Sequence, residues 1–159
     1  MGLFSFIKGA GAKLFKRKKE ADPAVVDNRT EAEIKIDALK GEIARLGLPV
    51  SDLHVDLAEH VRVTGITDTN ANREKIILAL GNVEGVASVG DFISVTHAEP
   101  ESTFHEVKSG DTLSKISKVV YGDPMKYNAI FEANQPMLSH PDKIYPGQIL
   151  RIPAVETLA

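Results

Sequence analysis

Ile36, Leu39, Ile43 and Leu46 recur at three- and four-residue spacing, which is the stripe that one face of a helix buries. Thr30 and Glu33 stand at capping-box spacing, where each side chain satisfies a free N–H of the first turn, so the helix is predicted to begin at Thr30. Gly47, with Pro49 just beyond, is its natural stop. The period then changes. Leu53, Val55 and Leu57 alternate with polar residues, as do Val61 and Val63, predicting two strands with one buried face joined as a hairpin. Pairing Leu57 with Val61 and Val55 with Val63 leaves Ala58, Glu59 and His60 as the loop. It contains no glycine or asparagine, so a left-handed backbone is assigned to His60. A second helix is expected over 69–80, stopped by Gly81, and a third strand over 89–95.

The flanks are patterned differently. Leu3, Ile7, Ala10 and Leu14 fall at helical spacing, flanked by Phe4 and Phe15, which predicts an amphipathic helical segment. Gly9 and Gly11 interrupt it, each costing about 1 kcal/mol relative to alanine in a helix interior, so a break is expected there. Lys16, Arg17, Lys18 and Lys19, then residues 20–28 with Pro23, read as a solvated linker, and residues 97–103 with Pro100 as a second one. Beyond it a strand is expected over 104–107. Asp111 then caps a helix through Leu113, Ile116 and Val120 that ends at Gly122. Asp123 and Pro124 restart a helix, and a strand over 149–152 closes the chain.

With 159 residues, 43% hydrophobic and 26% charged, the chain has material for two small cores. Its net charge of -3 provides no basic field for nucleic acid. The absence of cysteine excludes disulfides, thiolate metal sites and cysteine nucleophiles, and permits a cytosolic home. No apolar run approaches the roughly 20 residues that span a bilayer. The apolar patch at Leu3 is cut by Lys8 and precedes the basic run, the reverse of a secretory signal.

Side-chain chemistry is equally sparse. His54, His60, His97, His105 and His140 lack the paired spacing that puts two imidazoles on one helical face. There is no EF-hand loop, no G-x-S-x-G elbow and no phosphate-cradling G-x-x-x-x-G-K-[ST] loop. An enzyme is not expected. A large monovalent cation is a separate case, because neutral backbone carbonyls can replace its hydration shell without any carboxylate. Glycines beside a helix end, where orphan carbonyls carry the negative end of the dipole, suit such a site. Residues 7–13 and 81–86 both have this character, though on spacing alone their glycines read first as ordinary helix stops.

From Phe104 onward, Val107-Lys108-Ser109-Gly110-Asp111-Thr112-Leu113, Tyr121-Gly122, Ile130, Asn134 and Ile144-Tyr145-Pro146-Gly147-Gln148-Ile149-Leu150-Arg151-Ile152-Pro153 strongly resemble the LysM family, which implies a β-α-α-β fold. Val61-Arg62-Val63-Thr64-Gly65, a following helix and Gly85-Val86-Ala87-Ser88-Val89 resemble the BON domain. Together with the Met1-Gly2-Leu3-Phe4 start, the chain resembles the bacterial cytoplasmic potassium-binding BON-LysM proteins.

The resemblance implies an α+β protein of two small modules. The BON-like one is α-β-β-α-β with an extra N-terminal helical segment, and the second is LysM. The boundaries are 1–29 for the N-terminal segment, 30–96 for BON, 97–103 for the linker and 104–153 for LysM. It further implies K+ as ligand, with Ile7, Ala10 and Ala12 and then Gly81, Val83 and Val86 as carbonyl donors, and the N-terminal stripe docked on the BON module. A monomer is expected, without nucleic acid, with an unidentified protein partner open through LysM. The LysM family default, recognition of N-acetylglucosamine polymers beside Gly110, Asp111, Thr112 and Ile144, is the alternative. A second alternative is a membrane-surface adaptor built on the basic amphipathic N-terminus. Its Gly-Ala-Gly interruption weighs against it, as does the lack of Ser or Thr at position 6 for myristoylation.

Overall fold

The computed structural model describes residues 2–6, 30–83, 85–98 and 101–154. Strand β1 (Gly2–Ser5) comes first. It is followed by α1 (Glu31–Arg45), β2 (Ser51–Leu57), β3 (Val61–Thr69), α2 (Asn70–Gly81) and β4 (Ser88–His97). The second module contains β5 (Thr103–Glu106), α3 (Leu113–Tyr121), a 3-10 turn (Pro124–Lys126), α4 (Tyr127–Ala133) and β6 (Ile149–Ile152). The architecture is α+β, in two sheets. A four-stranded sheet has the order β1-β4-β3-β2, and β5 pairs with β6 in the second module.

Local chemistry sets most of the first module. Thr30 and Glu33 close the expected capping box, Glu33 Oε2 accepting from the Thr30 amide at 2.7 Å and Thr30 Oγ1 from the Glu33 amide at 3.2 Å. Gly47 adopts φ +67, the left-handed stop expected of it. The hairpin has the expected register, Leu57 opposite Val61 and Val55 opposite Val63. His60, however, does not turn left-handed. The loop closes with the Ala58 amide donating to the His60 carbonyl at 3.2 Å, and the positive φ among described non-glycine residues falls on Asp52, beside a register shift in β2.

β3 and β4 are parallel, with Val61 opposite Val89 and Val63 opposite Asp91, so α2 is the crossover between them. One face of the sheet gives Val55, Val61, Val63, Val89 and Ile93 to the core, against Leu39 and Ile43 of α1 and Ile76, Ile77 and Leu80 of α2. α2 is buried nearly all round, as befits a helix with neighbours on every side. It meets α1, β1, β3 and β4, and on its far side β6 of the second module.

The N-terminal start departs from expectation. Over the described residues 2–6 the stretch containing Leu3 is a strand, antiparallel to β4 with Leu3 opposite Gly90 and Phe4 opposite Val89. Pairing satisfies the edge of β4 that β3 leaves open, and a four-residue strand needs only the alternation that Phe4 and Phe6 provide. Phe4 turns inward and meets the Phe104 ring edge-on, centroids 5.4 Å apart. The rest of the expected helical segment lies outside the described residues.

The second module has its own core of Val107, Leu113, Ile116, Ile130, Leu138, Leu150 and Ile152. Gly122 ends α3 in the left-handed conformation, and Asp123 caps the 3-10 turn with Pro124 at its first position, both as expected. The cap of α3 is Thr112, whose Oγ1 accepts from the Lys115 amide at 3.2 Å, and not Asp111. Asp111 is engaged elsewhere, its Oδ2 accepting from the Lys108 amide at 2.9 Å.

Candidate functional site

The loop after α2 is where the structure gathers the sequence-derived candidates. α2 ends within a residue of the expected stop, but Gly81 is its last helical residue and Asn82 is the C-cap. The need for glycine is steric instead: a Cβ on Gly81 would fall inside the ring of Phe6, which lies across it. The Phe6 amide then donates to the Ala87 carbonyl at 2.7 Å. The chain therefore leaves Phe6 toward residue 7 from a point held against both ends of 81–87. Ile7, Ala10 and Ala12 lie outside the described residues.

Gly81, Val83 and Val86 are buried, and their carbonyls are differently engaged. Val83 accepts from the Val86 amide at 3.1 Å, closing a four-residue turn whose third position, Gly85, has φ +98. Among the described residues none donates to the carbonyl of Gly81 or of Val86. The Gly81 oxygen belongs to the last turn of α2, the negative end of its dipole, and that turn carries no basic side chain. The loop thus offers buried, neutral oxygens in a negative field. Among the described residues no trio of His, Asp or Glu side chains is gathered as for a metal ion.

Asn82, which sequence reasoning passed over, ties this loop to the second module. Its Nδ2 donates to the Ile149 carbonyl at 3.0 Å and its Oδ1 accepts from the Ile149 amide at 3.0 Å. Asn134 does the same two residues along, Oδ1 accepting from the Arg151 amide at 2.8 Å and Nδ2 donating to the Arg151 carbonyl at 2.9 Å. Two asparagine amides therefore stand in for a missing strand along the free edge of β6. Tyr145 adds a third contact, its hydroxyl donating to the Asn82 carbonyl at 3.4 Å. Burial pushes that phenol up to about 12, so it remains a donor at neutral pH.

Nearby, Glu74 and Arg151 form a buried ion pair across the modules, Nε to Oε2 at 2.7 Å. Glu74 Oε1 accepts from Asn70 and from the Ser102 amide, while Arg151 also donates to the Ala133 carbonyl and Ser102 Oγ. The polar groups of this seam are satisfied on both sides, as a buried pair requires.

The alternative glycan residues fall in the second module. Gly110 (φ +87), Asp111 and Thr112 form one turn, cross-tied by Lys115 Nζ donating to the Gly110 carbonyl at 3.1 Å. Asp111 Oδ2 also lies 3.2 Å from His105 Nε2. The Lys108 amide first, then His105, hold its carboxyl below the usual range. Ile144 packs on the second core from the loop before β6.

Residues 105–153 match the LysM domain family. The chain is 43% identical over 155 residues to the potassium binding protein Kbp of Escherichia coli O6:H1 strain CFT073, an alignment covering 96% of this chain and 99% of that protein. A 51-residue stretch is 53% identical to an uncharacterized protein of Deinococcus radiodurans, covering 32% of this chain and 19% of that one. At that identity over nearly its whole length, the chain belongs to the family of the potassium binding protein Kbp.

Proposed function

We propose that this chain is a cytoplasmic potassium-binding and potassium-sensing protein, a binding protein rather than an enzyme. K+ is held by the carbonyls of Ile7, Ala10 and Ala12 with those of Gly81, Val83 and Val86, and compacts the first module. The observation that carries this reading is the seat of Phe6, the residue before Ile7, which lies over Gly81 and is bonded to Ala87. Membership of the Kbp family supports the choice of ion. The absence of cysteine suits a reducing compartment, and no helix among the described residues is long and apolar enough to cross a membrane. The domain limits proposed are 30–96 and 104–153, joined by 97–103, with β1 (Gly2–Ser5) an added edge strand of the first sheet.

Thermal melts in potassium, sodium and choline chloride at matched ionic strength test it. A ligand at 100 times its dissociation constant adds about 2.7 kcal/mol to the form that binds it, so potassium should raise the midpoint by several degrees over choline. A midpoint raised no further by potassium than by sodium would refute the reading.

The LysM match favours one second reading, glycan binding beside Gly110, Asp111, Thr112 and Ile144. Chitin oligomers titrated into labelled protein should shift those amides, and no shift at about millimolar ligand removes the reading. The membrane-adaptor alternative loses support, since Phe4 and Phe6 turn onto the protein itself.

A further inference from the structure

Asn82 lies between two of the proposed carbonyl donors, Gly81 and Val83, yet its own side chain faces the other module. The geometry points to Asn82 as a positioning residue for the ion loop, through which K+ occupancy and the LysM segment 144–149 are linked. This inference rests on the potassium-binding reading.

Three contacts converge on one residue. The amide of Asn82 pairs with both backbone groups of Ile149, and its carbonyl accepts from Tyr145. An amide bonded at both ends to a strand edge has its plane and its distance fixed, and through the backbone this restrains the peptide planes on either side. The oxygen of Gly81 belongs to the first of those planes, and that of Val83 to the plane one step beyond the second. A carbonyl site binds by converging dipoles, so a loop held in the converging arrangement binds more tightly than one that must be ordered by the ion.

The link runs in both directions. Tyr145 directly follows Ile144, one of the residues of the candidate glycan turn, and precedes the 146–148 turn into β6, where Gly147 donates to the Val107 carbonyl and Val107 to the Gln148 carbonyl. An ion that draws residues 81–86 together pulls on Ile149 and Tyr145. Whatever LysM binds at 144–149 must by the same coupling alter ion affinity, since linkage between two sites is reciprocal.

The test uses the full-length chain, its Asn82→Ala variant and its Tyr145→Phe variant, each titrated with potassium chloride against choline chloride at fixed ionic strength. Potassium affinity and 15N amide shifts are recorded. Wild type should show potassium-dependent shifts at Tyr145 and Ile149. Asn82→Ala should weaken apparent potassium affinity by roughly tenfold, the penalty when only about a tenth of the free loop is in the binding arrangement, and should silence the Ile149 shift. A purely structural role would lower the choline midpoint of Asn82→Ala while leaving its potassium increment unchanged, and that result overturns the inference. If Asn82→Ala does not fold, Tyr145→Phe, which removes one oxygen, decides alone: unchanged affinity and unchanged shifts at Ile149 overturn it. A wild type that binds potassium without moving Tyr145 or Ile149 refutes the coupling while leaving the potassium reading intact. A wild type indifferent to potassium refutes both.

Discussion

Gly81→Ala should destabilise the protein, although alanine is the better helix former. In a helix interior this change gains about 1 kcal/mol, and less in a last turn, so about 0.5 kcal/mol is available here. Against it stands the Phe6 ring, which the new methyl would overlap. The ring must leave. Burying a phenylalanine completely stabilises by about 1.5–3 kcal/mol, and Phe6 is half-buried, so its expulsion removes about 0.75–1.5 kcal/mol. The net loss is therefore about 0.25–1 kcal/mol. The diagnostic measurement is a double-mutant cycle by urea denaturation in choline chloride, where ion linkage does not contribute. In a Phe6→Ala background nothing blocks the methyl, and Gly81→Ala should turn stabilising by about 0.5 kcal/mol. A stabilising Gly81→Ala in the wild-type background would refute the ring-on-glycine seat, the observation on which the proposed ion loop rests.

Removing one member of the buried Glu74–Arg151 pair should cost about 3–5 kcal/mol, because the remaining charge has no water to return to; Arg151→Ala in a urea melt checks this, and a loss under 1 kcal/mol would contradict the burial of the seam. Asn134→Ala, which strips both backbone partners of Arg151, should cost about 2–3 kcal/mol by the same assay. Asp111 has a folded pKa below its unfolded value of 3.8, so its contribution is present above pH 3.8 and disappears as pH falls through the lower folded value. An NMR-detected acid titration should place the Asp111 carboxyl below 3.8, and His105→Ala should move it upward. An unshifted midpoint would remove His105 as a cause.

What the chain discloses about itself follows the range of the forces involved. The start of α1 is legible because Thr30 and Glu33 are near neighbours, and the β2–β3 register because alternation permits only one pairing that buries Val55, Val61 and Val63 together. The fold at the N-terminus is not legible in the same way. Leu3, Phe4 and Phe6 suit a helix stripe or a strand, and the choice belongs to the bare edge of β4. The constraint at Gly81 is hidden for a related reason, since it comes from Phe6, a residue on another element. Thr112 and Asp111 are both able caps, and the Lys108 amide and His105 claim Asp111 first. The inter-module seam left only faint marks: an arginine in the strand Ile-Leu-Arg-Ile and a glutamate on a helix otherwise nearly all buried. The signal in both carbonyl segments, 7–13 and 81–86, was glycine placement, which cannot by itself distinguish an ion loop from a helix end.

The pairing of β1 with β4 also imposes an order in time. A ribosome adds about 5–20 residues per second, so the roughly 80 residues from Phe6 to Ala87 take about 4–16 s to synthesise. For that interval the first strand has been made and its partner has not. Leu3, Phe4 and Phe6 therefore wait as an exposed apolar stretch of the nascent chain, with Lys8, Lys13 and Lys16 following in sequence. Like charges on two such chains repel, which disfavours pairing of the waiting strand with its counterpart on a neighbouring ribosome.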